Sequence, residues 1–453
     1  MRTFVINYRD LSRWDPGSFT NIEWHWPDAV MRPIGAVLVK RVEKLDLSQL
    51  SRDDIQFITI HFDGSIEPRA LNNGIPKRME LFRAYPRDIV LSKIDLKNGA
   101  VGVLPSLEGK VTAVTSHFAV YQVTSGLLPE YFTMIIQNPR FKEYLWRKKV
   151  GAEGRKEVKL EFFESTKIPV PSLSVQRDII KFWENTQQQA TGLRQSADWH
   201  EKEIGQIVMQ ELGLKESPPY VQRGPFIVNY NDVERWDTYF FRKEFLDVLA
   251  QLRHIGAVPL GKCAHFVSRK WTPTDFPSGF FTYIQISDVN KTDGIVGCSK
   301  VEVRRAPSRA AQVIRQGDLL ISTTRPYLAA FANVTQEYDG SVVSSAFAVV
   351  ENTIQGLDKD FLLLYLKSYA GLKQFEQRMT GGLYPAIVRT ELEKLLIPVP
   401  PLEKQRHIVE TVEILQESIK SMKRTAVNVI AEAKIKLDAV IGGERNIKDV
   451  ANG

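Results

Sequence analysis

The chain has 453 residues, of which 43% are hydrophobic and 25% charged, and it carries a net charge of +7. That length gives room for two or three domains, and that balance excludes wholesale disorder. No apolar run reaches membrane-span length, MRTFVINYRD lacks the apolar core of a signal peptide, and the two cysteines, Cys263 and Cys298, form neither a disulfide framework nor a metal-type pair. A reducing, cytoplasmic setting is expected. The basic balance favours a polyanionic partner without choosing among nucleic acid, membrane surface and acidic protein.

The stretch FVINYRDLSRWDPGSF, from Phe4, returns as FIVNYNDVERWDTYFF from Phe226. Further along, RPIGAVL at Arg32 pairs with RHIGAVPL at Arg253, and RDIVLSK at Arg87 with GDLLIST at Gly317. TSHFAV at Thr115 pairs with SSAFAV at Ser344, and IPVPSLSVQRDII at Ile168 with IPVPPLEKQRHIV at Ile397. The offset grows from 226 − 4 = 222 to 397 − 168 = 229, so the second copy holds a few extra residues, which loops absorb cheaply. A period this long is a tandem duplication of a whole domain, not a solenoid repeat.

Within each copy the first part is mixed α/β. DIVLSKI and DLLISTT are short, β-rich runs with turn residues beside them, and HFAVYQV and AFAVVEN are apolar over strand length. FFTYIQISDVN, from Phe280, predicts a strand entering a turn. LPEYFTMIIQNPRFKEYL and LDKDFLLLYLKSYAGLKQFEQ each show the three- and four-residue apolar spacing of a half-buried helix. The prolines at 169, 171, 398, 400 and 401 then make a stiff extended connector.

After each connector the pattern is helical. Ile408, Val412, Leu415, Ile419, Met422, Ala426, Val429, Ala433, Lys436 and Val440 step by four and three without a break, which is a heptad seam with only Lys436 polar. About 40 helical residues span roughly 60 Å, too long to hide in one domain. The same phase, 229 residues earlier, falls on Ile179, Trp183, Thr186, Ala190, Leu193, Ala197, His200, Ile204 and Ile207. Intramolecular antiparallel pairing is the preferred arrangement, with pairing to another chain as the alternative; His200 is a tolerated seam residue.

IPVPPLEKQRHIVETVEILQESIKSMKR resembles the conserved helical region of type I restriction–modification specificity subunits, with its proline lead-in and the pair Gln405–Arg406, repeated as Gln176–Arg177. GGLYPAIVRTELEKLLIPVP, GDLLISTTRP with Asp318, and YIQISDVN with Asp288 are similar to further motifs of that family. The resemblance spans nearly the whole chain, although PSLSVQR and IHFDGSIEP make the first copy less typical. It implies two tandem α/β (α+β) target-recognition domains separated by two long α-helices forming an antiparallel coiled coil, with a pseudo-twofold internal repeat. The boundaries expected are 1–171 and 223–400 for the recognition domains, and 172–222 and 401–453 for the spacer helices.

The resemblance also implies a non-catalytic subunit. Each recognition domain would read half of a bipartite double-stranded DNA site, and the helices would set the spacing and dock two adenine-methylating subunits, with restriction subunits joining. The chain itself would bind no cofactor; S-adenosylmethionine, ATP and magnesium belong to the partners. Basic loops with a nearby aromatic are the candidate DNA contacts: Arg269, Lys270 and Trp271; Arg304 and Arg305; Arg325 and Tyr327; and, in the first copy, Arg69, Lys77, Arg78, Lys93 and Lys97. Gln176, Arg177, Gln405 and Arg406 are candidates for partner docking, with helix-start capping as the alternative.

The alternative function is a single-chain nuclease or methyltransferase using the same recognition domains. QNPRF at Gln137 lacks the second proline of an adenine-methyltransferase motif, and Asp88, Asp95 and Lys97 form a nuclease-like set in one copy only. No Walker loop or zinc spacing is present, and GGERN near the end reads as a helix cap. A decoy occupying the modification subunits is a third reading, against which the basic charge argues weakly.

Overall fold

The computed structural model describes residues 22–46, 50–69, 80–107, 109–149, 157–218 and 233–451. Most of the opening repeat, including Trp14, lies outside them. The chain divides into two compact units, one made of residues up to Gly192 together with those from Thr425, the other of Leu193–Arg424. This division cuts across the four consecutive segments expected from the sequence, because each unit takes part of both long helices.

In the first unit β1 (Met31–Pro33), α1 (Ile34–Val37) and β2 (Leu38–Arg41) lead into β3 (Ile55–Ile60), β4 (Ile66–Arg69), β5 (Leu81–Ala84), β6 (Ile89–Ser92), β7 (Val101–Val103), β8 (Val111–Thr115) and β9 (Phe118–Val123). Helices α2 (Pro129–Gln137), α3 (Pro139–Lys148) and α4 (Leu160–Ser165) follow, then β10 (Lys167–Pro169), which pairs with β1. Two four-stranded sheets result, β2-β9-β6-β7 and β4-β3-β8-β5. The first is antiparallel throughout, and the second holds one parallel pair, β3 with β8. The run Ile89-Val90-Leu91 is fully buried because β6 is covered on both faces. Ile89 and Leu91 join the core that holds the helices, and Val90 joins the core it shares with the second sheet. A central strand buried on both sides loses the polar alternation of a half-exposed one.

The long helix α5 (Leu173–Glu211) follows the proline connector. The second unit continues with α6 (Lys243–His254), β11 (Val258–Pro259), α7 (Leu260–Cys263), β12 (Ala264–Val267), β13 (Phe280–Ile284), β14 (Val289–Asn290), β15 (Gly294–Ile295) and β16 (Ser299–Glu302). Then come β17 (Ala310–Val313), β18 (Leu319–Ser322), β19 (Phe331–Asn333), β20 (Val342–Ser344), β21 (Phe347–Thr353), α8 (Lys359–Lys367), α9 (Tyr369–Arg378), α10 (Arg389–Leu392) and β22 (Leu396–Ile397). Its four-stranded sheets are β12-β21-β18-β19 and β16-β13-β20-β17, again with one parallel pair, β13 with β20. The order repeats that of the first unit strand for strand. The last helices are α11 (Leu402–Gly442) and α12 (Ile447–Ala451).

Two expectations change. Each late helix is two helices. In the first unit Pro139 has no N–H to continue the ladder, and the Asn138 side chain caps α3 by accepting from Arg140 N at 3.0 Å. In the second, Ser368 caps α9, and Gly371 lets its first turn close on α8, since a Cβ there would meet Tyr365 O at 2.4 Å. The second change concerns RPIGAVL, whose structural counterpart is not RHIGAVPL. Pro33-Ile34-Gly35 matches Pro259-Leu260-Gly261: both enter a one-turn helix from a short strand, and both glycines face a glutamate, Glu164 or Glu393. The letters IGAV at 255–258 instead end α6 and begin β11.

The seam residues of the long helices are all buried or half-buried. Ile408, Val412 and Ile419 are buried in the second unit, and Ala426, Ala433 and Val440 in the first, whereas the off-seam Ile414 is 74% exposed. Lys436 is half-buried and Leu437 takes the buried place beside it, a drift expected when a helix of 3.6 residues per turn carries a 3.5-residue repeat. On α5, Ile179, Thr186, Ala190 and Ala197 are buried. The C-terminal end of α11 is closed by residues near the start of the chain: Trp26 Nε1 donates to Ile441 O and His25 N to Gly442 O, both at 2.8 Å.

Candidate nucleic-acid interface

Each unit contains the same buried aspartate. Asp88 and Asp318, 3% and 2% exposed, open strands β6 and β18 after a left-handed residue, Arg87 (φ 69°) or Gly317 (φ 83°). Each carboxylate accepts from a backbone N–H three residues earlier, Tyr85 N at 2.9 Å or Arg315 N at 2.7 Å. Each also takes two bonds from an arginine guanidinium: Arg41 at 2.9 and 3.2 Å, and Arg269 at 2.6 and 3.1 Å. Arg269 additionally bonds Glu351 at 2.6 Å. These hydrogen bonds, first those given to Asp318, hold the Arg269 guanidinium even more firmly protonated than usual. Arg269 is therefore committed inside its unit, which corrects its expected role as a DNA contact. An arginine spent on a buried carboxylate has no free fork for a base or a phosphate.

Its neighbours divide. Trp271, half-buried, donates Nε1 to Ala310 O at 3.0 Å and packs against Phe276 and Phe281, so its indole is engaged within the unit, which corrects its expected role as a DNA contact. Lys270 is exposed, as are Arg304 and Arg305, the latter 3.6 Å from Glu302. These three remain free to meet a polyanion.

Arg325 and Tyr327 stand at a tip built from two loops. Arg325 N donates to Pro385 O and Thr380 N to Ala386 O, each at 2.7 Å, and Ile387 N donates to Thr323 O at 2.8 Å. The segment after β18 is thus zipped to the segment between α9 and α10. Arg325, at φ 48°, lays its guanidinium over the Tyr384 ring at 4.7 Å. Around it Leu328, Leu383 and Tyr384 are 53%, 80% and 65% exposed. Neither Leu383 nor Tyr384 is among the residues the sequence marks as DNA contacts, since GGLYPAIV stands out there for its glycines. The available signal was a leucine–tyrosine pair between Gly-Gly and Pro, an apolar pair where a loop is ordinarily polar.

In the first unit Arg69 is exposed at the end of β4. Lys93 and Lys97 donate to backbone carbonyls, Ser116 O at 2.7 Å and Ile94 O at 2.8 Å. Lys77 and Arg78 lie outside the described residues. The nuclease-like set is not assembled, because Asp88 is held by Arg41 and Asp95 accepts from Asn98 at 2.9 Å.

The two repeated glutamines are structural. Gln176 and Gln405 are fully buried. Gln176 accepts from Leu128 N at 2.8 Å and donates to Gly126 O and Pro171 O at 2.9 and 2.8 Å. Gln405 accepts from Asp358 N and donates to Gly356 O and Pro400 O at 2.8, 2.8 and 2.6 Å. Each amide ties the connector and the start of a long helix to the turn ahead of α2 or α8, leaving nothing for a partner. This corrects the docking expectation for both; Arg177 and Arg406 beside them are exposed. Among the described residues no cluster of three or more His, Cys, Asp or Glu side chains is placed to hold a metal ion, and no helix is long and apolar enough to cross a membrane.

Residues 261–430 match the family model described as "Type I restriction modification DNA specificity domain". The chain is 27% identical over 162 residues to the Type I restriction enzyme HindI specificity subunit of Haemophilus influenzae. It is also 27% identical over 142 residues to the Putative type I restriction enzyme MjaX specificity subunit of Methanocaldococcus jannaschii. These matches span 35% and 31% of this chain, and 35% and 32% of the relatives' own length. Among solved structures, one reported under the heading of complex assembly and conformational transition of the type I R-M system is similar over 91% of this chain and 96% of its own, with 18% identity and a TM-score of 0.53.

Proposed function

We propose that this chain, which belongs to the type I restriction–modification DNA specificity family, is the non-catalytic subunit that tells such a complex where to act. Each unit reads one half of a bipartite site in duplex DNA. The helices α5 and α11 pair in antiparallel fashion, set the distance between the half-sites and receive two adenine-methylating subunits, which restriction subunits join. S-adenosylmethionine, ATP and magnesium are the partners' cofactors.

The observation that carries this reading is the duplication of one fold, down to its buried Asp–Arg and glutamine devices, with different residues in the loops that follow β6 and β18. A single-site reader has no use for two equal heads, whereas a split site needs two. Pairing of the helices is supported inside each unit. Val208, Met209 and Leu212 of α5 share a core with Ile408 and Val412, and Ile179 shares another with Leu437, Val440 and Ile441. The start of one helix thus keeps company with the end of the other. A helix of 39 residues at ~1.5 Å each exceeds the ~34 Å of one DNA turn.

The test is the methylome of the source cell with and without this gene, together with co-purification of the encoded modification subunit. One bipartite adenine-methylation motif is expected to vanish with the gene. Retention of every motif, or a chain that captures no such subunit, overturns the reading.

A further inference from the structure

The tip made by the loops at 323–328 and 380–388 has properties a phosphate clamp does not need. It projects a leucine and a tyrosine, 80% and 65% exposed, from a frame fixed by backbone hydrogen bonds rather than from a loose loop. Between Thr323 and Leu328, and between Thr380 and Arg389, the sequence holds two arginines and no acidic residue. The Arg325 guanidinium lies 4.7 Å from the centre of the Tyr384 ring, which places positive charge against it. Exposed apolar side chains on a rigid, cationic frame are how minor-groove proteins prise base steps apart.

Comparison of the two copies separates what the fold needs from what the tip does. Ser322 matches Ser92, and the buried Pro326 matches the buried Leu96. At the exposed positions the copies part: Tyr327 and Leu328 stand where the first copy has Lys97 and Asn98. Counting back from the buried pair Ile387 and Val158, Leu383 and Tyr384 correspond in sequence to Gly154 and Arg155, which lie outside the described residues. A surface that met the same protein subunit in both halves would be kept alike. One that meets a different half-site is free to differ.

The geometry points to Leu383 and Tyr384 as a wedge that enters the minor groove and unstacks one base step, so that the second half-site is selected partly by how easily that step opens. The inference rests on the DNA-reading function proposed above. In sequence the first copy has Lys97 and Asn98, and Gly154 and Arg155, at the corresponding positions, so it offers no leucine–tyrosine pair and no unstacking is expected in the first half-site. Flexible pyrimidine–purine steps are the favoured targets, since they unstack most readily.

The test uses the full chain in complex with its modification subunits and duplexes carrying the motif that the complex methylates. 2-Aminopurine, which brightens when unstacked, replaces each adenine in turn except the methylated ones. A several-fold rise at one step of the second half, and none in the first, is expected. The rise is lost in the double variant Leu383→Gly/Tyr384→Arg, which also weakens binding at least tenfold while leaving the thermal midpoint in place, and it survives in Tyr384→Phe. Motif binding with no brightening anywhere in the second half overturns the wedge and leaves DNA reading intact. Failure of the unaltered complex to bind its motif removes the reading beneath it and the wedge together. A double variant that binds the motif with the same brightening but sheds its modification subunits assigns the tip to a protein partner, and overturns the wedge.

Discussion

At the scale of single residues, identity between the two copies has two sources that look alike in sequence. Gln176 and Gln405 are repeated because the same buried turn needs the same amide, not because the same partner docks twice. Replacing Gln405 by Leu leaves Asp358 N, Gly356 O and Pro400 O without the amide that now bonds them, and is expected to destabilise the second unit by about 1–3 kcal/mol. Thermal unfolding checks it; an unchanged midpoint with weakened subunit binding would restore the docking role. Lys367 offers a pH-dependent counterpart. Burial, helped by the Lys291 charge, pushes its amine down to about 8. The unfolded amine titrates near ~10.4, so between these values the unfolded state binds more protons and stability rises with pH. Below pH 8 the penalty is fully present. The matched residue in the first unit is Gln137, so Lys367→Gln is expected to be more stable than the parent at pH 7, on the order of 1–3 kcal/mol. The advantage should fade by pH 10; denaturant titrations at the two pH values measure it.

At the scale of elements, periodicity was the dependable guide and short strings were not. The 4-3 spacing of α11 located its buried edge, with Ile419 2% exposed and Ile414 74% exposed five residues away. Ile419→Asp places a charge in that edge and should destabilise the second unit by about 3 kcal/mol, whereas Ile414→Asp should change it by less than about 0.5 kcal/mol. Equal effects of the two substitutions on chemical denaturation would contradict the seam. The string IGAV misled, since four matching letters sat on a strand–helix entry in one copy and on a helix exit in the other. A heptad is enforced over dozens of residues by one physical requirement, while a tetrapeptide can recur with no requirement at all. The division of each late helix was half legible: Asn138–Pro139 announces a break, but the break at Ser368 depends on Gly371 fitting under Tyr365 O.

At the scale of the molecule, the proposed reading of one half-site by each unit implies separable specificities. Exchanging residues 223–400 for the corresponding recognition domain of another specificity subunit should change one half of the methylated motif and leave the other half and the spacing unaltered. Simultaneous change of both halves, read by sequencing methylated DNA, would show that the heads do not act separately. The exposed basic residues Lys270, Arg304 and Arg305 should act on affinity rather than sequence choice. Replacing each by Ala is expected to lower the slope of log affinity against log salt by about 1 without shifting the motif.

The sequence by itself determined the duplication, the succession of mixed α/β segment and long helix, and which edge of each helix is apolar. Those properties are written in order and spacing along the chain, and they survive without knowledge of what touches what. Only the tertiary structure decided which marked residues are available. Arg269 and Trp271 look like readers in sequence and are bound to Asp318 and Ala310 in the fold, while Leu383 and Tyr384 look like loop filler and stand in solvent. Exposure and hydrogen-bond partnership are set by residues dozens of positions away, 49 for Arg269 and Asp318, and no local pattern encodes them.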